Sequence, residues 1–237
     1  MPDVANGGRG SPGRSARRRV CDPFKFDKHL LAERARVAEP LDLRLAGADE
    51  AGRGCLAGPL VTAAVVLDYT AAPFVRLNGL TDSKLLTPGV REAMYCEILR
   101  SAARVSWVAC SPSTIDRIGL HRCNVSALAS VLELLDGEYG LAIVDGFDLG
   151  RADLKAWSIT GADYKSAAVA AASVVAKVVR DRVMKAAAPR YPEYGFEEHV
   201  GYATSRHREA LRRHGPCVLH RLSFQGVGTC ALKLWDE

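Results

Sequence analysis

Two adjacent carboxylates, Asp49 and Glu50, come directly after a strand-like apolar run and just ahead of a turn, Gly52-Arg53-Gly54. Carboxylate oxygens are ligands that Mg²⁺ and Mn²⁺ prefer. Glycine amides and an arginine guanidinium suit phosphate oxygens. The combination therefore predicts metal-dependent chemistry on a phosphodiester.

Two further acids lie at the ends of predicted elements. Asp145 ends an apolar strand, and Asp163 precedes a long helix. Each alone would be read as a cap or turn residue, and Asp163, three residues before Ser166, can simply cap its helix. Ligand sites in α/β sheets gather beyond strand ends, so we expect these acids to converge with the first pair. Several carboxylates around two divalent ions form a common apparatus for phosphodiester hydrolysis.

One geometric condition limits this hypothesis. Consecutive residues on a regular strand point to opposite faces. Asp49 and Glu50 therefore face one ion together only if the strand ends at one of them, which the following Gly52 favours. Alternatively, the backbone carbonyl of Glu50 serves as the ligand.

Basic, hydroxyl and aromatic residues that suit a nucleic-acid backbone fall in three places: the loop with Ser83 and Lys84, Lys165 beside Asp163, and Tyr202. Lys84 and Lys165 can contact phosphates, and Tyr202 can stack on a sugar or base. On composition alone a half-buried core tyrosine is favoured by about two to one. Three histidines have spacings that do not suit zinc, so we assign them to the surface or to packing. They are His199, His207 and His214.

Hydrophobic periodicity predicts α/β architecture with a mixed sheet, because a strand-rich start is followed by alternating helices and strands. The predicted strands are Leu41–Ala48, Leu60–Leu67, Val105–Cys110 and Leu141–Val144. The predicted helices span residues 24–38, a segment from Pro88 with Val90, Met94 and Ile98 on one stripe, Arg122–Leu135, 166–187 and 205–214.

Composition indicates a globular chain with a polar tail. The 237 residues carry a formal charge of +5, and 48% are apolar. No run reaches the roughly 18 apolar residues of a membrane span, and no secretory signal precedes the body. Seven scattered cysteines without a Cys-x-x-Cys pair argue against zinc and disulfides and favour a cytoplasmic protein with reduced thiols. Residues 1–22 are predicted to be a disordered basic tail, either merely solvated or adding nonspecific nucleic-acid affinity, and 23–237 one catalytic domain.

The order of motifs resembles the bacterial type 2 ribonuclease H family, ribonuclease HII. The resemblance runs from about Leu43 to Phe224. Its motifs are Asp49–Gly54, Ala57–Pro59, Asp82–Lys84, Val144–Gly146, Ala162–Lys165, Val169–Lys177, Arg180-Asp181, Tyr191-Pro192, Gly201-Tyr202, His220-Arg221 and Ser223-Phe224.

This resemblance implies a ribonuclease H-like fold, with a mixed five-stranded sheet flanked by helices and a helical C-terminal part. It implies that Asp49, Glu50, Asp145 and Asp163 bind two Mn²⁺ or Mg²⁺ ions. The Gly52–Gly54 turn would read the 2′-hydroxyl at an RNA–DNA junction, a group that distinguishes RNA from DNA.

The resemblance also implies the reaction. Tyr202 would stack on the deoxyribose 3′ of the ribonucleotide. A monomer would cut on the 5′ side of ribonucleotides in RNA–DNA hybrids and of single ribonucleotides in duplex DNA, leaving 3′-hydroxyl and 5′-phosphate ends. Such enzymes serve ribonucleotide removal during DNA replication and repair. Whether a sliding clamp binds is left open by the sequence.

Three positions depart from the family pattern. Cys55 stands where proline is usual, and we expect little effect. Phe147 stands where a polar residue is common. Ala162 follows Gly161 where many relatives have Lys-Gly, which removes a positive charge and predicts lower substrate affinity.

Two rival functions remain at this stage. One is a nuclease of the same superfold with another substrate, such as a junction resolvase. The second is a nucleic-acid-binding protein that retains the fold without activity.

Overall fold

A computed structural model describes residues 22–36, 42–71 and 73–229. The predicted tail, apart from Asp22, lies outside the described residues, as do Leu41 and positions 37 and 38 of the first predicted helix. No helix among the described residues is long and apolar enough to cross a membrane.

Five strands form one mixed sheet, in the order β3-β2-β1-β4-β5. Strand β1 pairs antiparallel with β2 and parallel with β4, while β3 and β5 form the edges. This confirms the predicted sheet. The strands are β1 (Arg44–Ala51), β2 (Leu60–Asp68), β3 (Arg104–Cys110), β4 (Leu141–Asp145) and β5 (Ala156–Ile159).

Helices cover both faces of the sheet and build the C-terminal part. They are α1 (Pro23–Ala35), α2 (Pro88–Ser101), α3 (Pro112–Ile118), α4 (Leu120–Glu133), α5 (Ala167–Ala187), α6 (Phe196–His199) and α7 (Ser205–His214). Helix α5 packs on one face of β1 and β2, and α4 packs on the other. Strand β2 is buried on both faces, in keeping with its unbroken apolar sequence.

Small residues let α5 approach the sheet closely. A Cβ added at Gly47 would overlap the backbone of Ala168 in the first turn of α5. Ser166 caps this helix through a bond from the Val169 amide, so Asp163 is not its cap. The close packing brings the start of α5, with Asp163 just ahead of it, against the strand that carries Asp49.

Two apolar stripes predicted from the sequence are only partly buried in the structure. On α2, Met94 and Ile98 are buried, but Val90 lies in the first turn and is exposed. On α5, Val175 and Val179 are buried while Val183 is exposed. Both deviations fall near a helix end.

A buried carboxyl ties the N-terminal helix to the core. Asp27 Oδ2 accepts hydrogen bonds from the Tyr69 hydroxyl (2.6 Å) and from the Ala168 amide at the start of α5 (3.0 Å). Burial raises its pKa to about 6, although these bonds pull in the opposite direction. The folded protein therefore holds a proton on Asp27 that the unfolded chain releases near pH 4.

We expect Asp27→Asn to change the pH dependence of stability. Between pH 4 and pH 7 the folded parent binds more protons than the unfolded chain, so its stability falls as the pH rises. Asparagine has no proton to release, and the parent should lose about 3 kcal/mol relative to the variant across this window. Urea unfolding of both proteins from pH 4 to 7.5 measures this difference. Parallel pH profiles would show that Asp27 does not titrate in this window.

Candidate active site

Strand β1 carries Asp49 and Glu50 on opposite faces of the sheet. Its pairing with β2 continues through Ala51, opposite Val61, and only Gly52, at φ 94°, turns the chain away. The expectation that the strand ends at Asp49 or Glu50 is therefore wrong, because β2 supplies hydrogen-bonding partners along its whole length. Asp49 faces α5, and Glu50 faces α4.

The side chain of Asp49 is almost completely buried from solvent. It is 4% exposed, and the Ser173 hydroxyl of α5 hydrogen-bonds its carboxylate. Burial, together with the charges of Glu50 and Asp145, raises its pKa well above the usual range. A carboxylate in this environment gains from any cation that offsets the lost solvation and the neighbouring negative charge.

Asp145 and Asp163 join Asp49 on the α5 side. Strand β4 runs parallel to β1 with Val144 opposite Ala48, so Asp145 follows beside Asp49. Asp145 Oδ1 accepts a hydrogen bond from the Ala162 amide (2.7 Å), which fixes the turn that carries Asp163. Burial, then the charges of Asp145 and Asp82, raises the pKa of Asp163.

Glu50 lies across the strand end from these three acids. Its Oε1 is 3.6 Å from Arg53 Nη1, while its Oε2 is buried without a hydrogen-bond partner. Burial raises its pKa, and Arg53 and Asn124 pull it the other way. Asn124, fully buried on α4, also leaves both amide atoms without partners of good geometry. Sequence reasoning missed Asn124, although an asparagine within an apolar helical stripe is a usable signal.

The four acids match the donor set of a hard divalent cation. Among the described residues, no three Asp, Glu, His or Cys side chains are close enough together to enclose an ion as they stand. Their chemistry nevertheless fits one: all donors are carboxylates, burial and neighbouring negative charges raise the pKa values of Asp49, Glu50 and Asp163, and Glu50 Oε2 is an orphaned acceptor. To enclose a cation together, the side chains of Asp49, Glu50, Asp145 and Asp163 would have to rotate from the positions seen here.

Of the predicted basic and hydroxyl residues, Lys84 lies beside the acids, whereas Lys165 and Ser83 hydrogen-bond to other parts of the protein. Lys84 is exposed, and its Nζ lies 3.6 Å from Asp163 Oδ2, at the edge of the acidic group. Lys165 instead donates to the Thr160 carbonyl within its own loop (2.7 Å). Ser83 is buried, with its Oγ 2.9 Å from Ser173 Oγ, so it supports the serine beside Asp49 and does not face solvent.

Two buried arginines hold the Gly52–Gly54 turn. Arg180 and Arg221 are both fully buried, and a Cβ at Gly52 would overlap the Arg180 side chain. Arg221 Nη1 donates to the Arg53 carbonyl (3.0 Å). A Cβ at Gly54, by contrast, would meet nothing within 4 Å. The turn is thus held on its buried side by these arginines, whereas at Gly54 it borders open space.

Phe147, one of the departures from the family pattern, contacts the arginine side chain of this turn. The Arg53 guanidinium carbon is 4.7 Å from the centre of its ring. A cation–π contact of this kind restrains the arginine beside Glu50. A polar residue without an aromatic ring at position 147 could not make this contact with Arg53.

Tyr202 lies at the surface and is not a core tyrosine. It is 39% exposed, and Lys177 Nζ lies 4.9 Å from the centre of its ring. The Cys55 thiol, directly after the Gly52–Gly54 turn, contacts it. Of the histidines assigned to surface or packing, His199 and His207 are buried and His214 is exposed.

The comparison with known proteins identifies the family. A family model described as Ribonuclease HII matches residues 46–227, which include all four acids, the turn and Tyr202. The chain belongs to the ribonuclease HII family. Ribonuclease HII proteins are metal-dependent endonucleases of the ribonuclease H type, which gives the acidic group at the strand ends its chemical context.

Individual relatives agree with this assignment. The chain is 43% identical over 199 residues to a ribonuclease HII of Parafrankia, covering 84% of this chain and 82% of the relative. Ribonuclease H2 from Pyrococcus horikoshii superposes with a TM-score of 0.72 at 28% identity, covering 82% of this chain and 100% of that one. The ribonuclease HII of Archaeoglobus fulgidus, solved in complex with PCNA, gives 0.66 at 30% identity, with coverages of 77% and 96%.

Proposed function

We propose that this protein hydrolyses the phosphodiester on the 5′ side of ribonucleotides in RNA–DNA hybrids and of single ribonucleotides in duplex DNA. The observation that carries the proposal is the position of the buried acids beside the Gly52–Gly54 turn. Asp49, Asp145 and Asp163 lie on the α5 side of the strand ends, and Glu50, on the opposite face, lies beside the turn with its Oε1 3.6 Å from Arg53 Nη1. Chemistry on a phosphate and recognition of its sugar then occur side by side.

The proposed reaction breaks the bond between phosphorus and the 3′ oxygen of the upstream nucleotide. Water supplies the oxygen that stays on phosphorus, and the departing 3′ oxygen takes up a proton. The products are a 3′-hydroxyl and a 5′-phosphate on the ribonucleotide. Asp49, Glu50, Asp145 and Asp163 would hold two divalent cations, Mg²⁺ or Mn²⁺. When bound, such cations lower the pKa of a water molecule and stabilise the leaving oxygen.

The surrounding residues would select and orient the substrate. The Gly52–Gly54 turn is open outside at Gly54, which leaves room for a ribose 2′-hydroxyl close to the backbone. The exposed Tyr202 ring offers a surface for the neighbouring deoxyribose. Lys84 and Lys165 would contact phosphates, while the buried Ser83 would support Asp49 through Ser173.

The cellular setting follows from this substrate. Ribonucleotides enter DNA during replication, so we assign the protein to their removal in the cytoplasm of a bacterial cell. Residues 23–237 would form the catalytic domain and act as a monomer.

The rival functions fit less well. A junction resolvase has no use for a turn that leaves space at a 2′-hydroxyl or for a neighbouring exposed tyrosine. A binding protein without activity has no reason to keep Asp49 and Asp163 buried with raised pKa values, since such burial is costly.

A comparison of three duplexes with a four-way DNA junction tests the proposal. The protein is incubated with all-DNA duplex, with DNA carrying one ribonucleotide, with an RNA–DNA hybrid and, as the rival substrate, with a four-way DNA junction, each with Mg²⁺, with Mn²⁺ or with EDTA, and both binding and cleavage are measured. We expect cleavage of the two ribonucleotide-containing substrates, with either ion, and none with EDTA. Cleavage of a four-way DNA junction in preference to these substrates would favour the resolvase, and metal-dependent binding without cleavage would favour the inactive binding protein.

A further inference from the structure

Three buried histidines lie beneath the segment that presents Tyr202. His199, His207 and His220 are 8%, 0% and 2% exposed. The rings of His199 and His207 stack with centroids 4.4 Å apart, and those of His207 and His220 are 5.2 Å apart. Their ring nitrogens make specific hydrogen bonds, which distinguishes the group from apolar packing.

The hydrogen bonds fix which nitrogen carries each proton. The Cys217 amide donates to His220 Nδ1 (3.0 Å), so the proton of His220 is on Nε2. That nitrogen lies 3.0 Å from His207 Nε2, which must accept, and leaves the His207 proton on Nδ1. His207 Nδ1 then donates to the Tyr202 carbonyl (2.8 Å). Burial lowers the pKa of both rings to about 4, so both are neutral at pH 7.

His199 holds the same segment from the other side. Its Nδ1 accepts from the Gly201 amide (3.2 Å), and its Nε2 donates to the Tyr194 carbonyl (2.7 Å). The segment needs such support, because Val200 has φ 43° and ψ 38°, a costly conformation for a β-branched residue.

The remaining carbonyls of this segment are also engaged. Arg180 Nη1 donates to the Val200 carbonyl (2.8 Å), and the Leu56 amide donates to the Gly201 carbonyl (3.0 Å). Leu56 follows closely after the Gly52–Gly54 turn. The backbone from 200 to 202 is therefore fixed relative to the turn, while the Tyr202 ring is left at the surface.

We propose that His199, His207 and His220 are positioning residues that set the Tyr202 ring relative to the Gly52–Gly54 turn and so govern cleavage at an RNA–DNA junction. This inference rests on the proposed function, in which Tyr202 contacts the sugar next to the ribonucleotide. The histidines touch no substrate and act through the Tyr202 backbone. If the histidines only fill space, cleavage activity should depend on the volume of the side chain that replaces them and not on which ring nitrogen it mimics.

Asparagine and glutamine variants separate these two roles. An asparagine amide reaches the place of an imidazole Nδ1, and a glutamine amide reaches that of Nε2. His207→Asn keeps a donor for the Tyr202 carbonyl, whereas His207→Gln loses it. At position 220 the order reverses, because His220→Gln keeps a donor for His207 and His220→Asn does not.

We expect kcat/KM on duplex DNA with one ribonucleotide to follow this crossed order. The unfavourable amide at each position should cost about tenfold relative to the favourable one, the effect of one lost buried hydrogen bond. Each variant is then combined with Tyr202→Ala, and thermal melting establishes that it folds. If one variant does not fold, the pair at the other position decides.

The outcomes separate this inference from the function on which it rests. A crossed order that disappears in the Tyr202→Ala background supports positioning. Equal activities within each pair, or a difference that persists without Tyr202, overturn it in favour of packing. Tyr202→Ala with parental activity also overturns it, yet leaves the proposed cleavage intact. A parent that does not cut at the ribonucleotide refutes the proposed function itself.

Discussion

Asp49→Asn is expected to lower the rate of cleavage at an embedded ribonucleotide by at least about a thousandfold while substrate binding persists. The substitution keeps the shape of the side chain and removes a charge that a divalent cation requires. Asp49 is the most enclosed of the four acids, and burial and neighbouring charges raise its pKa. The metal-free variant should therefore melt no lower than the parent, because a buried, repelled charge is removed.

Thermal melting supplies a second readout for the same substitution. Mg²⁺ or Mn²⁺ should raise the melting temperature of the parent, since a ligand that binds only the folded state stabilises it, and this rise should be smaller in Asp49→Asn. Asp153→Asn is the matched control, because Asp153 is exposed and paired with Arg151 away from the acids. Parental cleavage by Asp49→Asn would show that Asp49 is not a metal ligand.

Gly54→Ala is expected to lower kcat/KM by about a hundredfold without loss of stability, because an added methyl group would occupy the space proposed for the ribose. The structure has open space there, so the folded protein accommodates the Cβ. Gly52→Ala should behave differently. Its Cβ would overlap the buried Arg180 side chain at a positive φ, and we expect a loss of about 3 kcal/mol in the free energy of unfolding.

The pair of glycine variants thus separates substrate contact from folding. Steady-state kinetics on duplex with one ribonucleotide and urea unfolding are measured for both proteins. Unchanged cleavage by Gly54→Ala would remove the turn from the substrate interface. A Gly54→Ala variant that is as unstable as Gly52→Ala would show that the turn is constrained on its outer side as well.

The strands and helices that could be predicted are those whose apolar residues recur at a regular spacing or form an unbroken run. Strand β2 was predicted because Leu60–Leu67 is apolar throughout, as a strand buried on both faces must be. Strand β5 was not found from its own residues, because Ala156–Ile159 is short, at an edge, and carries a 42% exposed Trp157. Helix α3 was missed as well, since its seven residues are too few for a periodic stripe.

A sequence pattern does not give the direction in which each side chain of the site points, because that depends on contacts between elements far apart in the chain. Asp49, Glu50, Asp145 and Asp163 were selected because they stand at element ends, but the face each acid occupies depends on how far β2 pairs with β1. Ser83 lies in a motif that suggested substrate contact, yet tertiary packing turns it toward Ser173. Distant residues in the sequence become neighbours only through the fold.

Mapping the nick at nucleotide resolution tests the central claim most directly. One strand of a DNA duplex carries a single ribonucleotide, and an identical duplex carries the deoxynucleotide at that place. The account predicts one metal-dependent cut on the 5′ side of the ribonucleotide, with a 3′-hydroxyl and a 5′-phosphate, and an intact control duplex. A cut on the 3′ side, a cyclic phosphate product, or equal cleavage of the all-DNA duplex would contradict it.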